Sequence, residues 1–460
     1  MKQRILSCLL LLSMILSALF LSVSCGGQDE EDQPTSRGGL TLNVYNWGEY
    51  ISDGFEGSYN TNKEFEKYYY EKTGKKVTVN YSTYATNEDM YAKLKSGAGN
   101  YDIVIPSDYM IQKMAEEGML YAFNPAETVE NYRYINEDFR GKYYDPEEKY
   151  TVAYSYGMIG VIYNTTLVDE EDAARQSWDL LWDEKYRGKI LQFNNPRDGF
   201  GTAQYLLGID INSVDKADWD RALQKLIEQK PLIQAYVSDE IFNKMTGGSA
   251  AIGAYYAGDY ITMVEDNDAL AFYYPVEGTN VFVDAMCIPA NAQNKELAIE
   301  YINFMLSEDA AVANAEYIGY ASPNSLVYNS ETYREDMGED AMEILYGTEG
   351  ANDNYHFADG TPIDPYYHSF TPEIQDYVNM LWESLKTENS VEAWVHVVAA
   401  AIVVLVAALG ITTAVQKKKR MRDYYRHIEA AEAAGAGNAA PPTNASGGQN
   451  TATGGTPPTE

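Results

Sequence analysis

From Leu40 onward the chain switches repeatedly between segments of period two and segments of period about 3.6, and this alternation narrows the possible folds more than any other feature. Residues 40–45, 77–81 and 101–106 read as strands, with helical patterns at 62–72, 88–95 and 109–117 between and after them. Regular switching with short connectors is the βαβ signature of a mostly parallel sheet flanked by helices. A second series follows Thr151. It has a long β-prone run at 152–163, a strand at 190–193, helices at 200–208 and 217–229, and a strand at 250–256. Segments 259–265, 269–274, 281–288 and 296–306 continue the alternation. The expected class is therefore α/β in two lobes of similar size, with a ligand enclosed between them when they close. No short repeat of the solenoid kind is present.

The 460 residues carry a formal charge of −34, which repels nucleic acid and anionic lipid and favours cationic partners. Forty tyrosines stand against 13 phenylalanines, and each offers a ring face together with a hydroxyl, as a wet, polar cleft requires. Cys8 and Cys25 fall in an amino-terminal leader and Cys287 is alone, so no disulfide or thiolate cluster is expected in the folded region. With four histidines dispersed at 356, 368, 396 and 427, neither a histidine metal site nor a histidine-based catalytic triad assembles from the sequence. No cofactor motif is present either.

Both ends carry membrane signals. Lys2 and Arg4 precede an apolar stretch and then Cys25, which fits an export signal over 1–25. The run from Leu21 to Gly26 resembles a bacterial lipoprotein cleavage box, in which Cys25 becomes the lipidated residue. Residues 26–39 read as an acidic tether. Residues 394–415 are apolar enough to form a transmembrane helix, and the basic flank 416–433 that follows would face the cytoplasm. The expected location is the outer face of the cell membrane or the periplasm, membrane-anchored, with a short cytoplasmic tail. Residues 434–460 are rich in Gly, Ala, Pro, Thr and Asn and read as disordered.

Chemistry concentrates at the exit of the first strand, where Tyr45 to Tyr50 read YNWGEY. Trp47 and Tyr50 offer ring faces and Glu49 a carboxylate, a combination that attracts a protonated amine. In open α/β sheets ligands settle at the carboxyl ends of strands. Packing of these rings at a lobe edge is the plainer account of the same hexapeptide.

Further segments extend the pattern: STYATNEDMYAKLKSG from Ser82, YDIVIPSDYMIQKMAEEGML from Tyr101, VDAMCIPANAQNKELAIEYINFML from Val283 and IGYASPN from Ile318. Together with YNWGEY these resemble the spermidine- and putrescine-binding subunits of bacterial ABC importers, over about residues 40–386. The resemblance implies a two-lobed periplasmic-binding-protein fold of type II, with crossing hinge strands, closing on a linear polyamine. Lobe 1 would take 40–150 and 285–330, and lobe 2 would take 151–284 and 331–387. It further implies ligand roles for Trp47, Glu49, Tyr50, Ser107, Tyr109, Asp198, Asp284 and Tyr320. Asn195 stands where spermidine-preferring members carry aspartate, while Tyr256 and Phe282 occupy tryptophan positions. Asp259, in the Tyr256-Ala257-Gly258-Asp259 run, resembles the putrescine-binding branch. A last family contact falls around residues 367–369.

Elementary electrostatics agrees with that resemblance. Aliphatic amines ionise like lysine, near a pKa of about 10.4, so each bound nitrogen needs a carboxylate once water is excluded. Glu49, Asp198, Asp259 and Asp284 can supply these, while Trp47, Tyr50, Tyr109, Tyr256, Phe282 and Tyr320 wall the methylene chain. The expected protein is a polyamine receptor handing cargo to an ABC permease, without covalent chemistry. A receptor for another cation or small solute is the alternative, and Arg197 keeps an amino-acid ligand in play. Paired carboxylates in an aromatic cleft also describe a glycoside hydrolase.

Overall fold

The computed structural model describes residues 39–387, 416–422 and 426. The chain separates into two compact units, Met1–Leu385 and Lys386–Glu460. In the second unit the described residues 416–422 are helical and exposed. The leader, Cys25, nearly all of the acidic tether, the apolar run 394–415 and the tail 434–460 lie outside the described residues. Among the described residues no helix is long and apolar enough to cross a membrane.

One mixed sheet organises the first unit, with strand order β2-β1-β3-β9-β4-β7-β5-β6 and β8 paired to β4. β1 (Leu40–Trp47) runs parallel to β2 (Val77–Tyr84) from Leu40↔Val77 to Trp47↔Tyr84, and β3 (Ile103–Val104) lies parallel on its other side. In the other half β5 (Ile190–Phe193) is parallel to both β6 (Ile233–Val237) and β7 (Ile252–Tyr256). Two long strands join the halves. β4 (Thr151–Asn164) pairs antiparallel with β9 (Val281–Cys287) from Thr151 to Met158, then with β7 and with β8 (Leu270–Tyr273).

The expectation of a mostly parallel sheet therefore holds for the flanks and not for the centre. β3–β9, β4–β9, β4–β7 and β4–β8 are all antiparallel. The reason is topological: β4 carries the chain outward into the second half and β9 brings it back, so these two neighbours must run in opposite directions. Both faces of β4 are covered, which is why its sequence TVAYSYGMIGVIYN is nearly unbroken in apolar and small residues.

Helices enter where their caps dictate. α1 (Thr61–Thr73) begins at Asn60, whose side chain accepts from Lys63 N, and ends at Gly74 with φ +71°, a left-handed turn that favours glycine. α2 (Asn87–Lys95) is capped by Thr86, and α3 (Asp108–Glu116) starts after Ser107. α4 (Pro196–Leu207) has Asn195 as its cap and proline at its first position, followed by α5 (Lys216–Gln229), α6 (Glu240–Thr246) and α7 (Ala257–Asp266). After β9 come α8 (Lys295–Met305), α9 (Glu308–Ile318), α10 (Glu331–Tyr346) and α11 (Pro372–Thr387). A continuous core runs under both halves, and a smaller one under α4, α5 and α11 centres on Phe200, Trp219, Phe370 and Trp382. Burial of side chains of this size is worth about 1.5 to 3 kcal/mol each before entropy is counted.

Candidate ligand-binding site

A cleft of about 960 Å³, measured to its open mouth, lies where the strand ends of the two halves meet. All twelve residues singled out in the sequence line it: Trp47, Glu49, Tyr50, Ser107, Tyr109, Asn195, Asp198, Tyr256, Asp259, Phe282, Asp284 and Tyr320. Eleven of them end or follow a strand or sit on a crossing strand, and Tyr320 enters from the turn after α9. Trp47 to Tyr50 leave β1, Ser107 and Tyr109 follow β3, Asn195 and Asp198 follow β5, and Asp259 follows β7.

Three of the buried carboxylates are each held by an aromatic hydroxyl. Tyr50 Oη donates to Asp284 Oδ2 at 2.9 Å, Tyr256 Oη to Asp198 Oδ2 at 2.6 Å, and Tyr320 Oη to Asp259 Oδ2 at 3.0 Å. The rings supply the walls as well as the hydrogen bonds. Tyr50 meets Tyr320 edge-on at 5.0 Å between centroids, Phe282 meets Tyr256 at 5.5 Å, and Trp47 leans on Tyr84 at 4.7 Å. The Trp47 indole is oriented by its Nε1 hydrogen bond to Ile105 O at 2.9 Å. These ring pairs line the cleft.

Asn195 and Ser107 have prior commitments. Asn195 Oδ1 accepts from Asp198 N and its Nδ2 donates to Asp198 Oδ2, each at 2.9 Å, so the residue caps α4 and orients Asp198. Asn87 donates to Ser107 Oγ and to Tyr109 Oη, both at 3.1 Å, and Tyr109 Oη donates onward to Glu88 Oε1 at 3.1 Å.

Burial dominates the electrostatics. It lifts Asp284 from the ordinary 3.8 to about 7, opposed by the nearby Ser107 hydroxyl and the Tyr50 hydrogen bond, with Asp198 adding to the rise. Asp259 is lifted to about 8 by burial, opposed by Tyr320 and reinforced by Asp239 and Glu49. Asp108, which accepts from Val283 N at 3.2 Å, is also raised by burial to about 8. Asp198, Glu88 and Glu49 are raised too, in each case chiefly by burial. Desolvation disfavours the charged form of each, and an opposite charge nearby would favour it again.

The one arginine lining the cleft does not answer that need. Arg197 is 2% exposed, donates from Nη1 to His368 O at 3.0 Å and from Nη2 to Asn212 Oδ1 at 3.2 Å, and packs on Phe370, Tyr367 and Tyr109. One N–H of each terminal nitrogen is thus engaged within the second half, while Nε has no hydrogen-bond partner among the described residues.

Sequence reasoning missed several lining residues. Glu88 and Asn87 read as the ordinary first turn of α2, and Asp239 follows β6, a strand with no clear alternation. Asn280 extends the Phe282, Asp284 alternation by one step, and that spacing could have flagged it. Tyr367 lies in the stretch where the resemblance expects a last contact.

Two sheet halves joined by crossing strands around an acidic, aromatic cleft define a solute-binding protein. The comparisons place the chain more narrowly: residues 63–338 match the model of the bacterial extracellular solute-binding proteins, and the chain belongs to that family. It is 34% identical over 308 residues to the spermidine/putrescine-binding periplasmic protein of Escherichia coli K12, covering 67% of this chain and 82% of that one. To the putrescine-binding periplasmic protein PotF of the same organism it is 26% identical over 330 residues, covering 68% and 84%. Among solved structures, the spermidine/putrescine ABC transporter substrate-binding protein PotD of Streptococcus pneumoniae superposes with a TM-score of 0.57 at 32% identity, covering 75% of this chain and 98% of that one.

Proposed function

We propose that this protein is an extracellular polyamine receptor that delivers putrescine, spermidine or both to an ABC permease for import. The observation that carries the reading is the buried Asp284, 4% exposed, with one oxygen held by Tyr50 and the other, Oδ1, without a hydrogen-bond partner among the described residues. A half-satisfied buried carboxylate on a crossing strand is a socket for a cation. Asp198 and Asp259 place further carboxylates on the second half, and Glu49 places one on the first. Among the described residues seven carboxylates line the cleft against one cation, Arg197, the charge pattern of a site for a multiply protonated chain. The names of the relatives point the same way.

Transport requires no covalent step, and the carboxylates act as counter-charges held by tyrosines. Lobe 1 (40–150 and 285–330) and lobe 2 (151–284 and 331–387) close on the ligand about β4 and β9, and the closed form docks on the permease. The segment 394–415 anchors the receptor in the membrane with its basic flank inside, and Cys25 is the lipidation site. Protease accessibility on intact cells and incorporation of a labelled fatty acid test these two points separately.

Titration calorimetry on the full-length chain with putrescine, spermidine and a neutral sugar tests the central reading. Micromolar or tighter binding of an amine with no heat from the sugar is the expected result. A folded chain that binds neither amine refutes it and directs attention to other organic cations.

A further inference from the structure

Asn280 is 1% exposed and lines the cleft, yet its Oδ1 has no hydrogen-bond partner and its side chain makes no hydrogen bond among the described residues. Its neighbours are firmly tied. Thr279 Oγ1 donates to Ile159 O at 2.6 Å, Thr279 N to Asn352 Oδ1 at 2.8 Å, and Val281 N to Pro365 O at 3.0 Å. The backbone is therefore pinned on both sides of an amide that pays its desolvation with no return, which a native structure rarely tolerates without a role.

Position supplies that role. Along an extended chain residues two apart share a face, and Asn280, Phe282 and Asp284 all line the cleft in one row. Asp284 stands opposite Ser155 at the junction of the halves, whereas Val281 stands opposite Met158, further into the second half. Asn280 thus lies beyond Phe282 on the side of Asp198 and Tyr256. The row reads acceptor, ring, carboxylate, a spacing of polar, apolar and polar groups that matches a ligand of nitrogens separated by methylenes.

We propose that Asn280 is a further specificity-determining contact, whose amide oxygen accepts an N–H from a ligand nitrogen one step along the cleft from the nitrogen held at Asp284. The inference rests on the polyamine reading above. A neutral acceptor suits this place, because it satisfies an ammonium or secondary ammonium N–H without adding an eighth negative charge to the cleft. A ligand lacking a donor there leaves the amide unpaired and binds less well.

The test is calorimetry and thermal melting of the full-length chain for the wild type, Asn280→Leu, Asn280→Asp and Asp284→Asn, with putrescine and spermidine. Asn280→Leu keeps the shape and deletes the acceptor. It is expected to weaken the tighter-bound amine at least tenfold while the ligand-free melting temperature stays level or rises. Asn280→Asp keeps an acceptor and is expected to bind within a fewfold of wild type or more tightly. Unchanged affinity in Asn280→Leu, with binding lost in Asp284→Asn, overturns the role of Asn280 and leaves the polyamine reading standing. Should Asn280→Leu fail to fold, equally poor binding by a folded Asn280→Asp overturns the proposal instead. A wild type that binds neither amine overturns both.

Discussion

Tyr50 and Asp284 are 234 residues apart in the chain and meet through a 2.9 Å hydrogen bond from the phenol to one carboxylate oxygen. Tyr50 itself is tied to β4, since Tyr154 Oη donates to Tyr50 O at 2.6 Å, and Asn314 Nδ2 from α9 donates to Tyr154 Oη at 2.9 Å. The loop after β1, both crossing strands and α9 therefore share one hydrogen-bonded chain that ends at the Asp284 carboxylate. That network links the loop after β1 to the junction of the two sheet halves.

Replacing Asp284 by Asn removes the charge while keeping the shape. Polyamine affinity should fall by about 2 to 5 kcal/mol, the range for truncating one partner of a buried charge pair. Calorimetry showing a loss smaller than tenfold would place Asp284 outside the ligand's first contacts.

Trp47→Ala removes a ring fixed by Ile105 O and Tyr84. The expected loss is about 1 to 2 kcal/mol of binding, the worth of a cation over a desolvated indole. Trp47→Phe should recover part of it. An equal loss in both variants would assign Trp47 to packing through its Nε1 hydrogen bond.

Polyamine affinity should rise between about pH 6 and about pH 8.5, because Asp284 and Asp259 must ionise to meet the ligand and do so only near 7 and 8. The ligand's amines remain charged throughout, with pKa about 10.4. The ligand-free protein should move the other way. A carboxyl whose folded pKa exceeds its unfolded 3.8 binds more protons folded than unfolded, so its cost is absent below 3.8 and complete above about 8. The melting temperature without ligand should therefore fall from about pH 4 and level off above about pH 8, while the ligand-induced shift grows between about pH 6 and about pH 8.5. Flat affinity across the window would mean that neither carboxyl meets the ligand.

Gly258→Ala should lower stability by about 1 to 3 kcal/mol, since a Cβ there would collide with the Tyr320 ring and the core next to it has little room to yield. Because Tyr320 holds Asp259, polyamine affinity should fall as well. Denaturant melts and calorimetry read the two effects separately. A stable variant with normal affinity would show that Tyr320 can shift without disturbing Asp259.

The strand at 190–193 and the helices of the first βα series were legible because periodicity and caps act within a few residues. Where local signals conflict or are weak, the reading drifted. The helix expected from Phe200 begins at Pro196, because Asn195 supplies the cap and Pro196 fits the first turn, a start signal that outweighs the intervening glycine. The strand expected over 101–106 pairs only through Ile103 and Val104. β6 passed unnoticed because its half-exposed residues show no alternation, and Asp239 was missed with it.

By itself, then, the sequence determined the alternation of strands and helices in the first βα series, the aromatic and acidic motif at the exit of β1, and the set of residue types able to meet a polyamine. Those properties depend on neighbours a few positions away, so they can be read along the chain. Only the tertiary structure decided that β4 and β9 cross antiparallel, that Tyr50, Tyr256 and Tyr320 each take one aspartate, and that Asp284 and Asn280 keep oxygens unpaired. Desolvation and hydrogen bonding are set by whatever folds around a group, and here those partners come from strands and helices up to 234 residues away.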